Sequence, residues 1–141
     1  MSSQLSQVWN LAMGGAVALI ASVILVGTEA KADGWTCAGA PIPDGYVLTG
    51  YNQSGCNGAG AWYQQPARDG LWTCAGSPIP SGYVLTGYAQ SGCGGIGAWY
   101  HQLVRNGIWT CPYSPIPAGY RSTTYSAAGC NGLGAWLTVK I

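Results

Sequence analysis

The stretch that decides the fold is WTCAGAPIPDGYVLTGYNQSGCNGAGAWYQQ, which runs from Trp35 to Gln65. It recurs as WTCAGSPIPSGYVLTGYAQSGCGGIGAWYHQ from Trp72 and as WTCPYSPIPAGYRSTTYSAAGCNGLGAWLTV from Trp109, so the period is 37 residues. The first two copies differ at only three of the 22 positions from the tryptophan to the second cysteine, and the third copy has diverged most. A fixed period of this length indicates a repeat architecture in which each copy is one supersecondary unit.

Each copy carries the signals of three short β-strands and no helical periodicity. Trp-Thr-Cys forms the first strand, Tyr-Val-Leu-Thr-Gly-Tyr is a β-branched and aromatic run typical of the second, and Gly-Ala-Trp-Tyr forms the third. Each proline of Pro-Ile-Pro fixes φ and favours extended geometry in the residue before it. Because prolines and glycines recur at fixed positions, they indicate turns rather than low complexity. The sequence therefore predicts a single all-β domain over 33–141, made of repeats 33–68, 69–105 and 106–141.

The junctions between copies predict how neighbouring copies pair. Asp-Gly at 69–70 and Asn-Gly at 106–107 each stand between strand-like runs, and such pairs favour type I′ turns. We therefore expect the last strand of each copy to pair antiparallel with the first strand of the next. Since an open array would expose two strand edges, we also expect the C-terminal strand to pair with residues 35–37. The result would be a closed, pseudo-threefold arrangement, either β-prism-like or a small barrel.

This three-part architecture resembles the β-prism fold of the monocot mannose-binding lectins, which have a similar mature size. The sugar motif of those lectins, Gln-x-Asp-x-Asn-x-Val-x-Tyr, is absent from the three copies. The Gln-x-Trp motif of β-trefoil lectins is absent from them as well, and 37 residues is short for a trefoil unit. The resemblance therefore lies in the architecture alone and assigns no family.

Residues 1–32 have the pattern of a signal peptide. An uncharged apolar run at 11–27 is followed by Ala30-Lys31-Ala32, whose two alanines fit an A-x-A cleavage site before Asp33. The run has 17 residues, the short limit for spanning a membrane, so an uncleaved anchor is the alternative. We expect cleavage, export to the periplasm or the extracellular space, and no membrane contact of the mature chain.

Charge is scarce, because only 6% of the residues are charged and the formal net charge is +1. There is no basic excess to neutralise phosphates, so we expect no nucleic-acid partner. The one histidine, His101, aligns with Gln64 and Thr138, and we interpret this as an exposed strand position on which nothing depends. A Ser–His–Asp set would need His101 with Asp69 or Asp44, and Asp44 does not recur in the other copies. The sequence therefore predicts no enzyme and no cofactor.

Six cysteines in a small exported domain indicate three disulfides, and the repeat leaves two symmetric pairings. The pairing within copies is Cys37–Cys56, Cys74–Cys93 and Cys111–Cys130. The pairing between copies is Cys56–Cys74, Cys93–Cys111 and Cys130–Cys37. We predict the first, because a duplicating unit that carries its own bridge stays self-consistent. No two cysteines lie close in sequence, which argues against a metal site.

About half of the aromatic side chains should stay partly exposed, because neighbouring residues of a strand point to opposite faces. We predict that Trp35, Trp62 and their copies form the core. The predicted ligand-binding surface combines tyrosines with nearby amides, namely Tyr51, Asn52, Gln53, Tyr63, Gln64, Gln65, Tyr88, Gln90, Tyr100, Gln102 and Tyr125. Such a surface suits stacking on sugar rings with amide hydrogen bonds, and near neutrality fits an uncharged ligand.

The leading hypothesis is a secreted, non-enzymatic module that binds glycans of a cell envelope or host surface, with up to three weak sites acting together. One alternative is a secreted antibacterial or inhibitor-type protein that presents its rigid Pro-Ile-Pro loops. The other is a self-associating structural surface protein, since exposed aromatic residues also suit protein contacts. The sequence carries no signal for an oligomeric state. The third copy has Arg-Ser-Thr-Thr at 121–124 and lacks both glutamines of the first, which predicts a degraded or retuned site.

Overall fold

Nine β-strands lie within residues 33–141, the part of the chain that this computed structural model describes. The predicted signal peptide, residues 1–32, lies outside it. The strands are β1 (Gly34–Cys37), β2 (Tyr46–Asn52), β3 (Ala61–Pro66), β4 (Leu71–Cys74), β5 (Tyr83–Ala89), β6 (Ala98–Leu103), β7 (Ile108–Thr110), β8 (Tyr120–Ser126) and β9 (Ala135–Lys140). Two short 3₁₀ turns, Cys56–Gly58 and Cys93–Gly95, precede β3 and β6. The all-β class predicted from the strand patterns is confirmed.

Each repeat folds into its own three-stranded antiparallel sheet, and the third strand of the repeat lies in the middle. The strand orders are β1-β3-β2, β4-β6-β5 and β7-β9-β8. In the first repeat, Trp35 pairs with Tyr63 across one edge of β3, and Tyr51 pairs with Trp62 across the other. The equivalent strands of the second repeat pair in the same register. The third strand thus organises each sheet.

Disulfides within the repeats hold these sheets together, which confirms the predicted pairing. The bonds are Cys37–Cys56, Cys74–Cys93 and Cys111–Cys130. Each bond ties the end of the first strand to the loop that leads into the third strand. That loop also requires glycine, because a Cβ on Gly55 would lie only 2.6 Å from the Cβ of Ala61. Bridge and glycine together bring the first and third strands side by side.

The predicted strand pairing between neighbouring copies is wrong. A type I′ turn needs positive φ at both central residues, but of Asp69 and Gly70 only Gly70 has it, at 81°. The Gly70 amide instead donates to the His101 carbonyl at 2.9 Å. The Asp69 carboxylate accepts from the Leu103 amide at 2.8 Å, and residues 106–107 make the same two bonds to β9. Each junction therefore caps the middle strand of the repeat that follows it.

The strand pairing predicted for a closed ring is wrong as well. The C-terminal strand was expected to pair with residues 35–37, but β9 has β7 on one edge and β8 on the other. Residues 35–37 pair with β3. Residues 33–141 form three separate sheets and no closed one. The entropic cost of closing a loop is smaller for two strands of one disulfide-bonded repeat than for the two ends of the domain. The first strand therefore pairs within its own repeat.

Neighbouring repeats pack through the edges of their sheets, β2 against β4 and β5 against β7. The buried residues of β2 and β5 at these edges are Val47, Leu48, Val84 and Leu85. The Leu48 amide donates to Ser77 Oγ of the next repeat at 2.9 Å. The Leu85 amide donates to Ser114 Oγ at 3.0 Å in the same way. Much of the core therefore lies between repeats, as in repeat proteins whose units contact their neighbours.

The outer edges of the first and third repeats lack the groups that join neighbours. Strand β8 carries Arg121 and Ser122 where β2 and β5 carry Val-Leu, and Arg121 is exposed. Ala40 of the first repeat stands where the other repeats have Ser77 and Ser114. Within residues 33–141 no further repeat covers either edge. The divergence of β8 thus matches its exposure, as in the polar terminal units of repeat proteins.

The prediction that Trp35, Trp62 and their copies form the core is wrong. The exposed fractions are 55% for Trp35, 46% for Trp72 and 42% for both Trp109 and Trp136. Trp62 and Trp99 are half-buried. The described repeats meet edge to edge, so the faces of their sheets are not covered as they would be in a layered fold. Aliphatic side chains of the edge strands and alanines of the middle strands form the core, and the large aromatic residues stay on the faces.

Replacing Leu48 by Ser should lower the free energy of unfolding by roughly 2–5 kcal/mol, because a large buried side chain is lost from the contact between two repeats. Leu48 is only 5% exposed. The matched control is Ser122→Ala at the equivalent position of β8, which should change this free energy by less than about 0.5 kcal/mol. Denaturant unfolding of the oxidised protein measures both. Equal losses at the two positions would contradict edge-to-edge packing.

Candidate functional site

The strand register divides the side chains of each sheet between two faces. Directly opposite residues of paired strands share a face, and successive residues alternate. The front face is defined here by Trp35, Tyr63, Gln65 and their equivalents in the other repeats. The back face is defined by Trp62, Gln64 and their equivalents. Both faces carry aromatic side chains, so each is a candidate binding surface.

On the front face, a tyrosine of the middle strand packs against the exposed tryptophan of the first strand. The ring centroids of Trp35 and Tyr63 are 5.4 Å apart, with the planes at 70°. Those of Trp72 and Tyr100 are 5.1 Å apart, at 55°. The Trp35 indole reaches as far as β2, where a Cβ on Gly50 would lie 3.4 Å from its Cη2 atom. The missing side chain at Gly50 leaves room for the indole on the sheet.

A threonine of the second strand orients the glutamine of the front face. The Thr49 hydroxyl donates to Gln65 Oε1 at 2.7 Å. The Thr86 hydroxyl donates to Gln102 Oε1 at 2.6 Å. Because the carbonyl oxygen is engaged, the amide N–H donors of each glutamine are directed elsewhere. The first and second repeats therefore present matching clusters of tryptophan, tyrosine and glutamine.

The third repeat keeps the front-face tryptophan, Trp109, and loses its neighbours. Leu137 and Val139 stand at the positions of the tyrosine and the glutamine. Thr124 occupies the position of Gly50. Its front face therefore offers an indole without the adjoining amide.

On the back face, a tyrosine of the second strand packs on the tryptophan of the middle strand. The centroid distances are 4.5 Å for Tyr51–Trp62, 4.5 Å for Tyr88–Trp99 and 4.6 Å for Tyr125–Trp136. A Cβ on Gly60 would lie 2.9 Å from the Tyr51 hydroxyl, so the tyrosine also lies against the glycine-rich loop. These tyrosines are held between loop and indole.

Tyr113, which is not among the predicted binding residues, contacts the back face of the second repeat. Its ring centroid is 6.3 Å from that of Trp99, with the planes at 81°. Tyr113 has φ of 72°, and the equivalent residues Gly39 and Gly76 have 91° and 94°. A tyrosine in this left-handed region costs roughly 1–3 kcal/mol. Its side chain is 85% exposed, so burial does not offset the strain.

Two small pockets lie beside Tyr113. The second-repeat pocket, about 200 Å³, has Trp99 and His101 in its lining. The third-repeat pocket, about 250 Å³, has Trp136 and Ser122 in its lining. Tyr113 lines both, and neither contains an Asp, Glu, Lys or Arg side chain. The signal that could have identified this site is the replacement of a repeated glycine by tyrosine.

The strand position of His101 is buried, so its interpretation as an exposed position is wrong. The exposed fractions are 6% for Gln64, 2% for His101 and 0% for Thr138. His101 Nε2 lies 2.8 Å from the Thr73 hydroxyl oxygen. The hydroxyl oxygens of Thr110 and Thr138 are 3.1 Å apart. A threonine of the first strand thus provides a hydrogen-bond partner at this position in the second and third repeats.

Burial lowers the pKa of His101 from 6.5 to about 4. The side chain is therefore neutral at pH 7. Its Nδ1 atom is buried and has no hydrogen-bond partner among the described residues. Protonation would place a charge in the interior without a counter-charge, which is unfavourable.

The predicted binding residues are distributed over both faces and the loop ends. Those on the front face are Tyr63, Gln65, Tyr100 and Gln102. Those on the back face are Tyr51, Gln64, Tyr88 and Tyr125. Those at or after the end of the second strand, all exposed, are Asn52, Gln53 and Gln90. The structure joins the front-face residues to exposed tryptophans that the sequence analysis had assigned to the core, and it buries Gln64.

The described residues contain no free thiol. All six cysteines are in disulfides, which is typical of proteins in an oxidising compartment. Within 33–141, no three His, Cys, Asp or Glu side chains are grouped so that they could hold a metal ion. The same stretch contains no helix of the length and hydrophobicity that a membrane crossing requires.

Comparison with known proteins gives no relative. No family model matches the sequence, and no curated protein and no solved structure is significantly similar to it. A function must therefore be argued from the site itself.

The free energy of unfolding should fall as the pH drops from 6.5 to 4. The folded pKa of His101 is lowered to about 4, so the unfolded chain takes up the proton first. Above pH 6.5, neutral His101 makes its full contribution to the free energy of unfolding. About 3 kcal/mol of this contribution is lost by pH 4. His101→Thr introduces the residue of the third repeat and should remove this loss. Denaturant unfolding at pH 7 and pH 4 tests it, and an unchanged pH dependence in the variant would contradict the prediction.

Proposed function

We propose that this protein is a secreted, non-enzymatic module that binds uncharged glycans on the front face of its first and second repeats. The observation that carries the proposal is the pair of matching clusters there. In each, a tryptophan that is about half exposed stands beside a tyrosine and an oriented glutamine. The members are Trp35, Tyr63 and Gln65 in one cluster and Trp72, Tyr100 and Gln102 in the other.

The chemistry of these clusters suits a sugar ring. The face of an indole is electron-rich, and it attracts the C–H groups on the apolar face of a sugar. The amide N–H groups of the glutamine can donate to a sugar hydroxyl at the edge of the ring. Large exposed aromatic side chains on a small domain mark an interaction surface. Stacking and a directed amide together supply the two kinds of contact that glycan binding needs.

The charge of the surface supports an uncharged ligand. The chain has a formal net charge of +1, and the front-face clusters contain no ionisable group other than tyrosine. An acidic glycan or a nucleic acid would lack counter-charges there. The one basic residue on β8, Arg121, lies in the third repeat.

The proposed secretion has two supports. The sequence before Asp33 has the order of a signal peptide, an apolar run followed by an A-x-A site. The three disulfides need an oxidising environment to form and persist. Two equivalent clusters on one exported domain also favour binding to a repetitive glycan surface, because the second contact is intramolecular once the first has formed.

A glycan array tests the proposal with the full chain produced by export from an oxidising host. Trp35→Ala and Trp72→Ala should each weaken binding roughly 5- to 30-fold, which corresponds to about 1–2 kcal/mol of lost contact. The double variant should lose the gain from two linked contacts as well. The matched control is Trp109→Ala, which removes the same residue from a cluster without tyrosine or glutamine and should have the smallest effect.

Other results would identify a different function. Absence of glycan binding together with concentration-dependent oligomers in sedimentation would support the self-associating surface protein. Inhibition of neighbouring bacteria by the wild-type protein, unchanged in the tryptophan variants, would support the antagonistic protein. Circular dichroism of each variant shows whether the fold has been kept.

A further inference from the structure

Tyr113 occupies a backbone conformation that the other two repeats reserve for glycine. The equivalent residues, Gly39 and Gly76, have φ near 90°, and Tyr113 has 72°. Its ring is mostly exposed and contacts Trp99 edge-on. A strained residue whose ring contributes little burial suggests a role outside folding.

We propose that the second-repeat and third-repeat pockets form one further binding site, which takes two linked uncharged sugar rings with Tyr113 between them. The Trp99 indole and the Tyr113 ring form a corner on one side. Trp136 and Tyr113 line the other side. The inference rests on the proposed function for its ligand class alone, because none of the residues that line the two pockets belongs to the front-face clusters.

The size of the pockets fits one ring each. They measure about 200 and 250 Å³, below the roughly 300–1,000 Å³ of sites for drug-sized ligands. A single long apolar ligand would have to pass the Tyr113 ring that lines both. Two linked rings can instead lie on either side of it.

The lining of the pockets fits uncharged sugars better than charged ligands. Aromatic side chains provide stacking surfaces, and Ser122 and Thr110 add hydroxyl groups to the third-repeat pocket. Neither pocket contains a carboxylate for a cationic ligand or a lysine or arginine for an anionic one. His101, which lines the second-repeat pocket, is buried in its neutral form.

The experiment uses the full exported chain with Trp35→Ala and Trp72→Ala in place, so that the front-face clusters do not contribute. Calorimetric titration with cellobiose, maltose and diacetylchitobiose should show binding of at least one of these disaccharides. Tyr113→Gly and Tyr113→Asn, which suit the left-handed backbone, should weaken that binding at least about tenfold. Tyr113→Phe keeps the ring and should bind within about threefold of the parent.

Thermal unfolding separates a binding role from a structural one. Tyr113→Gly and Tyr113→Asn relieve the backbone strain, so their Tm should equal or exceed that of the parent. A Tm clearly below the parent would make Tyr113 a structural residue and overturn the proposal. It is also overturned if no disaccharide binds, if both variants bind as well as the parent, or if tetramethylammonium binds in place of the sugars. The proposed function fails separately, when the wild-type chain binds no glycan on the array or when Trp35→Ala and Trp72→Ala leave its binding unchanged.

Discussion

One disulfide in each repeat is the constraint on which the arrangement of strands depends. It ties the end of the first strand to the loop before the third, so the third strand becomes the middle of its sheet. Short glycine-rich strands bury little and lose much conformational entropy on folding. Each bridge closes a loop of 19 residues' separation, which stabilises the fold by about 3 kcal/mol. Since the bridges supply this stability, the domain does not need its tryptophans in a core, and they remain on the faces.

The contact between repeats explains why β8 carries polar residues where β2 and β5 carry Val-Leu. Leu48 and Leu85 are buried where one sheet edge meets the next, and serines of the following repeat accept hydrogen bonds from their amides. Ser122 stands at the same position on an edge that no repeat covers among residues 33–141. A leucine there would expose apolar surface beside unpaired backbone groups, which is the situation that invites strand-to-strand association. The polar residues on β8 oppose such strand-to-strand association.

The sequence predicted features that are determined within one repeat. It was misleading for features that depend on how the repeats pack and which side chains they bury. The repeat, the strands and the disulfide pairing could be predicted, because each copy contains both of its cysteines and its own turn residues. The pairing between copies could not, since Asp-Gly at 69–70 fits a hairpin equally well until the φ of Asp69 is known. Tryptophan was assigned to the core by its size, but Trp35 faces outward because the sheets meet at their edges. The sequence therefore placed Tyr63 and Gln65 in the candidate site, but it did not place the exposed Trp35 beside them.

On each face of the domain, the third repeat differs from the first two repeats in a different way. On the front face, two copies keep the same cluster and the third replaces its tyrosine and glutamine by Leu137 and Val139. On the back face, the third repeat alone contributes Tyr113, at a backbone position where glycine would be less strained. Under the proposed function, repetition favours avidity on the front face, and the two pockets beside Tyr113 favour selectivity on the back face.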